Sequence, residues 1–171
     1  MDVGNKVVEG DVYKNIVGLA SMCTDCEVER KGNILIGKGE ATEASIVTEA
    51  LRVGQNKFEL YKNYERINEI PFDSKRKMMT TIHRISNGYR IITKGAPDVL
   101  LDKCKRYYKD EKTYDLDTRT IENIKNNNVE MAKKALRVLA VAYKDITVLP
   151  NKIDANIIEK ELNFVRTNRN D

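Results

Sequence analysis

The pair Asn87-Gly88, set between two strand-like runs, constrains this chain more than any other feature. The runs are Lys77 to Ile85 and Tyr89 to Lys94. Asn-Gly is the favoured pair for a two-residue type I′ turn, so the segment is expected to form a tight antiparallel hairpin. That turn sets Ser86 opposite Tyr89 and Lys94 opposite Thr81. Side chains alternate faces along a strand, so Thr81, Met79 and Lys77 share the face of Lys94, with Lys77 about four residues or ~13 Å from the partner of Lys94. Gly95 and Ala96 follow, and Pro97-Asp98 opens a helix through Val99, Leu100, Leu101 and Cys104. Proline at the first helical position and an acid in the first turn are ordinary helix-start chemistry.

The remaining elements are read around this hairpin. Lys14 to Met22 is helical in pattern, and Glu27–Arg30 with Ile34–Ile36 flank a turn at Lys31-Gly32-Asn33. A helix from about Thr42 to Val53 places Ile46, Val47, Ala50 and Leu51 on one face, with Gly54 to stop it. Asp117 to Leu136 carries a looser helical pattern through Asn126-Asn127-Asn128. Val138 to Tyr143 reads as a strand buried on both faces, and Ala155 to Phe164 as a final amphipathic helix. The 171 residues suit a single domain over 1–171, long enough to bury a core without a disulfide framework. The fold class is α+β.

Several functions are excluded by what the chain lacks. Its longest apolar stretch, Val138 to Tyr143, is far short of the ~20 residues that cross a bilayer, and no signal peptide is visible. Cys23 and Cys26 have C-x-x-C spacing, but a closed zinc site needs two more ligands and only Cys104 and His83 remain. The cysteine spacing therefore reads as a helix whose last turn buries one cysteine, His83 as an ordinary sheet residue, and no metal site is expected. There is no P-loop, dinucleotide fingerprint or nucleophile elbow. The net charge of +4 is a mild basic excess. A nucleic-acid-binding surface would interleave aromatic and basic residues, and the three Phe and eight Tyr are not clustered with Lys75-Arg76-Lys77.

What remains is a site for a phosphate-bearing ligand. Two lysines on one face converge on Gly95, which has no side chain to block close approach, and ammonium groups pair well with phosphate. Pro71-Phe72 lies at the other end of the first strand, where an exposed ring could offer a flat face to an aromatic base. The competing reading is a solvated edge at Lys75-Arg76-Lys77 and a core role for Phe72.

At these residues the chain resembles the nucleotide-binding (N) domain of P-type cation-transporting ATPases. Gly39-Glu-Ala-Thr-Glu43 looks like the family's G-[DE]-x-T-E element. Pro71-Phe-Asp-Ser-Lys-Arg-Lys-Met-Met-Thr80 looks like P-F-x-S-x-R-K-x-M-[ST]. Lys94-Gly-Ala-Pro-Asp98 is similar to K-G-A-P-[DE], and Ala135-Leu-Arg-Val-Leu-Ala-Val-Ala142 to G-L-R-V-L-A-[LV]-A. Four elements in the family's order are far more specific than any one of them.

The resemblance implies an antiparallel sheet flanked by helices, with the adenine of ATP in a pocket on the sheet. By the same carry-over, Phe72 stacks on adenine and Glu43 hydrogen-bonds the base. Lys94 and Gly95 line the floor and mouth of the pocket, Lys77 lies near the phosphates, and Arg137 reaches toward ribose or phosphates. Ser74 stands where some members have a nucleotide-contacting arginine; that contact is absent here or comes from Lys75 or Arg76. The implied protein is an ATP-driven cation translocase, with calcium the first expectation, and its Mg2+ travels with the phosphates.

The family's D-K-T-G-T phosphorylation motif, its T-G-D hinge and its G-D-G-x-N-D motif are not in this sequence. The chain is therefore expected to be a monomeric cytoplasmic piece of an integral membrane pump. Its partners would be the phosphorylation and actuator domains and the transmembrane helices. Alone it should bind ATP without hydrolysing it, so no catalytic residue is assigned. Glu161 to Val165 would lead back to the phosphorylation domain, and residues 166–171 read as an altered tail. The alternative function is a non-catalytic nucleotide-sensing or interaction domain.

Overall fold

The computed structural model of the protein describes residues 3–133 and 139–165. The chain divides into two compact units, residues 1–65 and 66–171.

The first unit begins with helix α1 (Val3–Met22), longer than its apolar pattern predicts. A hairpin of β1 (Glu27–Lys31) and β2 (Ile34–Lys38) follows, turning at Gly32-Asn33 as expected. Helix α2 (Ala41–Arg52) is capped by Glu40, whose carboxylate accepts from the Glu43 amide at 3.1 Å, and buries Val47 and Ala50. Helix α3 (Lys57–Leu60) is a single turn started by Asn56, which accepts from the Phe58 amide at 3.0 Å. Lys57 is 2% exposed. Its ammonium donates to Thr24 O at 3.1 Å, Thr24 Oγ1 at 3.0 Å and Cys26 O at 2.6 Å, which supplies the acceptors a buried cation needs. Cys23 and Cys26 are both buried and form no disulfide. Their spacing belongs to the loop folded round this lysine.

The second unit is built on a seven-stranded sheet in the order β3-β4-β5-β8-β9-β6-β7. The strands are β3 (Glu65–Asp73), β4 (Met78–Ile85), β5 (Gly88–Gly95), β6 (Cys104–Lys109), β7 (Lys112–Asp115), β8 (Ala140–Ile146) and β9 (Leu162–Val165). Helices α4 (Pro97–Leu101), α5 (Thr118–Lys133) and α6 (Ala155–Ile158) complete it. The fold is the expected α+β, and the sheet is mostly antiparallel, with β6–β9 a parallel pair. Pro71 lies in β3, at the sheet edge, where a residue without an amide proton is tolerated. On one face of the sheet Met78, Leu100, Leu101, Ile124, Ala142, Leu162 and Phe164 form one core cluster. Ile82, Ile91 and Ile158 form another. Each such side chain is worth about 1.5–3 kcal/mol when fully removed from water.

Three expectations are corrected. The hairpin turns at Ser86-Asn87, with Ile85 paired to Gly88, so Lys94 faces Met79 rather than Thr81. Gly88 has φ +148°, and a Cβ there would lie 2.2 Å from Ile146 O. The glycine thus serves both the backbone leaving the turn, through its φ, and the close approach of the end of β8. A slip of two residues leaves every side chain on its predicted face.

Secondly, the C-terminal helix stops after one turn. Glu161 takes φ +52°, and Leu162, Phe164 and Val165 are buried in a strand between β8 and β6. The Leu162 amide donates to Lys103 O at 3.0 Å. Thirdly, α4 ends at Leu101 and Cys104 opens β6, the first strand of a hairpin with β7 that the charged Lys103–Asp115 segment does not announce. Residues 134–138 and 166–171 lie outside the described residues, and with them the first half of the Ala135–Ala142 element and the tail.

Candidate functional site

The loop joining β3 to β4 is held by its own side chains. Asp73 Oδ1 accepts from the Lys75 amide at 2.7 Å and the Arg76 amide at 2.9 Å, and Lys77 N donates to Asp73 O at 2.6 Å. The amides of Arg76 and then Lys75 hold the Asp73 carboxyl below its usual range. Lys77 completes the reversal with φ +59°, an uncommon conformation for a side-chain-bearing residue. It precedes β4, so the strand alternation that placed it on the face of Lys94 does not govern it.

Phe72, just before this loop, is 63% exposed. A ring left in water at a sheet edge offers its flat face to a planar partner, and this disposes of the core reading of Phe72. Lys75, Lys77 and Ser74 are exposed beside it. The loop thus presents one aromatic face and two ammonium groups, while its carboxylate is turned inward onto backbone amides.

Gly95 meets this loop directly. Ala96 N donates to Lys77 O at 3.3 Å, and a Cβ on Gly95 would lie 2.4 Å from that carbonyl and 2.8 Å from Met78 Cγ. The space freed by the missing side chain is filled by the Lys77 backbone, not kept for a ligand as the spacing suggested. The same contact brings Lys77 and the Lys94-Gly95 pair together. Lys94 is 6% exposed, opposite Met79 on one side and Val141 on the other.

Arg76 is committed elsewhere. Its Nε donates to Glu159 Oε1 at 2.7 Å and its Nη2 to Pro71 O at 3.1 Å. Of Lys75 and Arg76, the two basic residues named above for the contact that Ser74 does not supply, Arg76 is therefore engaged, and Lys75 is the exposed one. Glu159, at the end of α6, is 2% exposed and also accepts from Thr80 Oγ1, which shares a hydrogen bond with Thr93 Oγ1 at 2.7 Å. Nothing in the sequence points to Glu159 or the two threonines.

Of the other expected residues, Glu43 lies in the first unit, in the first turn of α2, where Oε2 accepts from the Asp25 amide at 3.2 Å with Cys26 Sγ at 3.9 Å. Arg137 lies outside the described residues. His83 is fully buried and its Nε2 is 2.8 Å from Thr81 Oγ1. Among the described residues no three His, Cys, Asp or Glu side chains are grouped as a metal site requires, and no helix is long and apolar enough to cross a membrane.

Residues 12–167 match the family model described as P-type ATPase, cytoplasmic domain N. The chain is 31% identical over 131 residues to a calcium-transporting ATPase of Listeria monocytogenes, covering 77% of this chain and 14% of the relative. It is 32% identical over 161 residues to calcium-transporting ATPase 1 of Bacillus cereus, covering 94% and 18%. With the calcium-transporting ATPase of Bacillus subtilis it shares 37% over 132 residues, covering 74% and 14%. It thus spans less than a fifth of the length of these relatives, in the region that the family model covers, and the chain belongs to the family of the cytoplasmic domain N of P-type ATPases.

Proposed function

We propose that this chain is the ATP-holding domain of a P-type cation pump, with calcium as the cation, as in the names of the relatives above. The observation that carries the reading is the exposed Phe72 beside a loop whose Lys77 backbone closes onto Gly95, next to Lys94. A purine stacks on the ring, and the ammonium groups attract the phosphates. Phe72, Ser74, Lys77, Lys94 and Gly95 form the proposed contact set. Glu43, as a partner for the base, and Arg137, toward ribose or phosphates, join it through the family resemblance alone. Mg2+ rides on the phosphates.

In the whole pump the domain carries the nucleotide to an aspartate on a separate phosphorylation domain. Phosphoryl transfer depends largely on positioning and electrostatics, and a tethered carrier supplies the first. The phosphorylation and actuator domains and the membrane helices are its partners in that assembly, on the cytoplasmic side. One stacked ring and a few solvent-screened charges suggest a dissociation constant near ~1 mM, about −4 kcal/mol.

The test is a two-dimensional NMR titration of the labelled chain with ATP, repeated on Phe72→Ala. Saturable shifts at Phe72, Lys77, Lys94 and Gly95, lost in the variant, are expected. A well-folded sample with no response to several millimolar ATP would overturn the reading and leave an interaction domain in its place.

A further inference from the structure

The second unit contains a buried polar chain that ends at the loop carrying Phe72 and Lys77. Thr80 and Thr93 are paired across β4 and β5, both fully buried, with their hydroxyl oxygens 2.7 Å apart. A hydroxyl has one proton to give. Thr80 gives its proton to Glu159 Oε2, so Thr93 donates to Thr80 and the chain runs in one direction. The other oxygen of Glu159 receives Arg76 Nε at 2.7 Å, and Arg76 Nη2 reaches on to Pro71 O.

Both ends of this chain adjoin the proposed contact set along the backbone. Pro71 O is the carbonyl immediately before Phe72, Arg76 immediately precedes Lys77, and Thr93 immediately precedes Lys94. The planar guanidinium suits the task because its rigid fork holds a carboxylate and a carbonyl in set directions, whereas a lysine ammonium is a compact charge whose donors rotate on a flexible stem. The loop is also shaped by its own Asp73, a local restraint, and its Lys77 end is tied to the strand end by the bond from Ala96 N to Lys77 O.

We propose that Glu159 and Arg76 are positioning residues for the nucleotide: the buried carboxylate anchors the Arg76 guanidinium, which fixes the backbone on either side of the loop so that Phe72 and Lys77 are held ready for the ligand. Neither residue needs to touch the ligand. The inference rests on the nucleotide reading above and deepens it, since a prearranged loop does not lose the freedom a loose one must give up on binding.

Glu159→Gln keeps the shape and removes the charge, and Arg76→Lys keeps the charge and removes the fork. Each is titrated with ATP by NMR, with the heteronuclear NOE of the Lys75, Arg76 and Lys77 amides recorded in the absence of nucleotide. The expected result is a folded protein whose ATP affinity falls about fivefold and whose loop amides become more mobile. A lower melting temperature with unchanged affinity and unchanged amide mobility would make the pair a fold-stabilising bond only, and would overturn the inference while leaving the nucleotide reading intact. If the unsubstituted chain gives no ATP response, the nucleotide reading fails first and this inference with it. Should Glu159→Gln not fold, Arg76→Lys, whose charge still meets Glu159, decides the same question.

Discussion

At the scale of single residues, environment decides which side chains are available for chemistry. Cys104 shows the unavailable case: burial pushes its thiol up to about 12, and Sγ lies 3.2 Å from Leu100 O. The thiolate is the reactive form, so alkylation of folded protein at pH 8 should be at least tenfold slower at Cys104 than in the unfolded chain. Time-resolved labelling read by mass spectrometry checks this, and equal rates would refute it.

Glu49 shows the opposite effect, on the surface of the first unit. Hydrogen bonds from Arg52, at 2.6 and 2.8 Å, and then from the Tyr13 hydroxyl at 2.7 Å, pull its carboxyl down from 4.5 to about 2. A depressed folded value means stability that is present above the ordinary carboxyl range and fades as pH falls toward 2. The pair is open to solvent, so its worth is screened to at most about 1 kcal/mol. Glu49→Gln should therefore lower the midpoint of urea unfolding slightly at pH 7 and match the parent near pH 2. A gap that persists at pH 2 would contradict the assignment.

At the scale of elements, the β4–β5 hairpin shows what a sequence carries and what it does not. The strand-like runs Lys77 to Ile85 and Tyr89 to Lys94 and the Asn-Gly pair between them suffice to find the hairpin and assign its faces. The register differs by two from the one the Asn-Gly pair predicts, and Gly88 meets the β8 end at Ile146, 58 residues on, a neighbour that nothing local records. The lost C-terminal helix is a case of the same kind. Ala155 to Ile158 has helical pattern, but Leu162 to Val165 is claimed by the gap between β8 and β6. In the candidate region, the place of Lys94 on the hairpin is legible in local pattern, and Phe72 is left open there between an exposed ring and a core residue. Glu159, which meets Arg76 across 83 residues, is not legible at all.

Gly95 converts this into a prediction. A methyl group there would meet the Lys77 carbonyl at 2.4 Å and Met78 Cα at 3.1 Å, both backbone atoms that cannot swing aside. Gly95→Ala should cost about 1–3 kcal/mol, the usual range for forcing extra volume into a packed place. It should also shift the amide signals of Lys77 and Ala96 more than those of the distant β6–β7 hairpin. Thermal unfolding and a two-dimensional spectrum test both parts, and an unperturbed variant would mean that the loop does not close on Gly95.

At the scale of the whole molecule, the proposed role separates binding from chemistry. Holding a nucleotide needs a face for the base and cations near the phosphates, and the second unit offers Phe72 and its neighbouring lysines. Cleaving the γ-phosphate needs an acceptor and charge stabilisation at the reacting end, and positioned groups there supply most of the rate. In this family the acceptor aspartate sits in D-K-T-G-T, a motif that these 171 residues do not contain. The chain with Mg2+ and ATP should therefore show saturable nucleotide shifts yet release inorganic phosphate no faster than ATP in buffer. Phe72→Ala should abolish the shifts and leave that background rate unchanged. Saturable phosphate release that disappears in Phe72→Ala would place the chemistry within this chain and overturn its reading as a carrier for another domain.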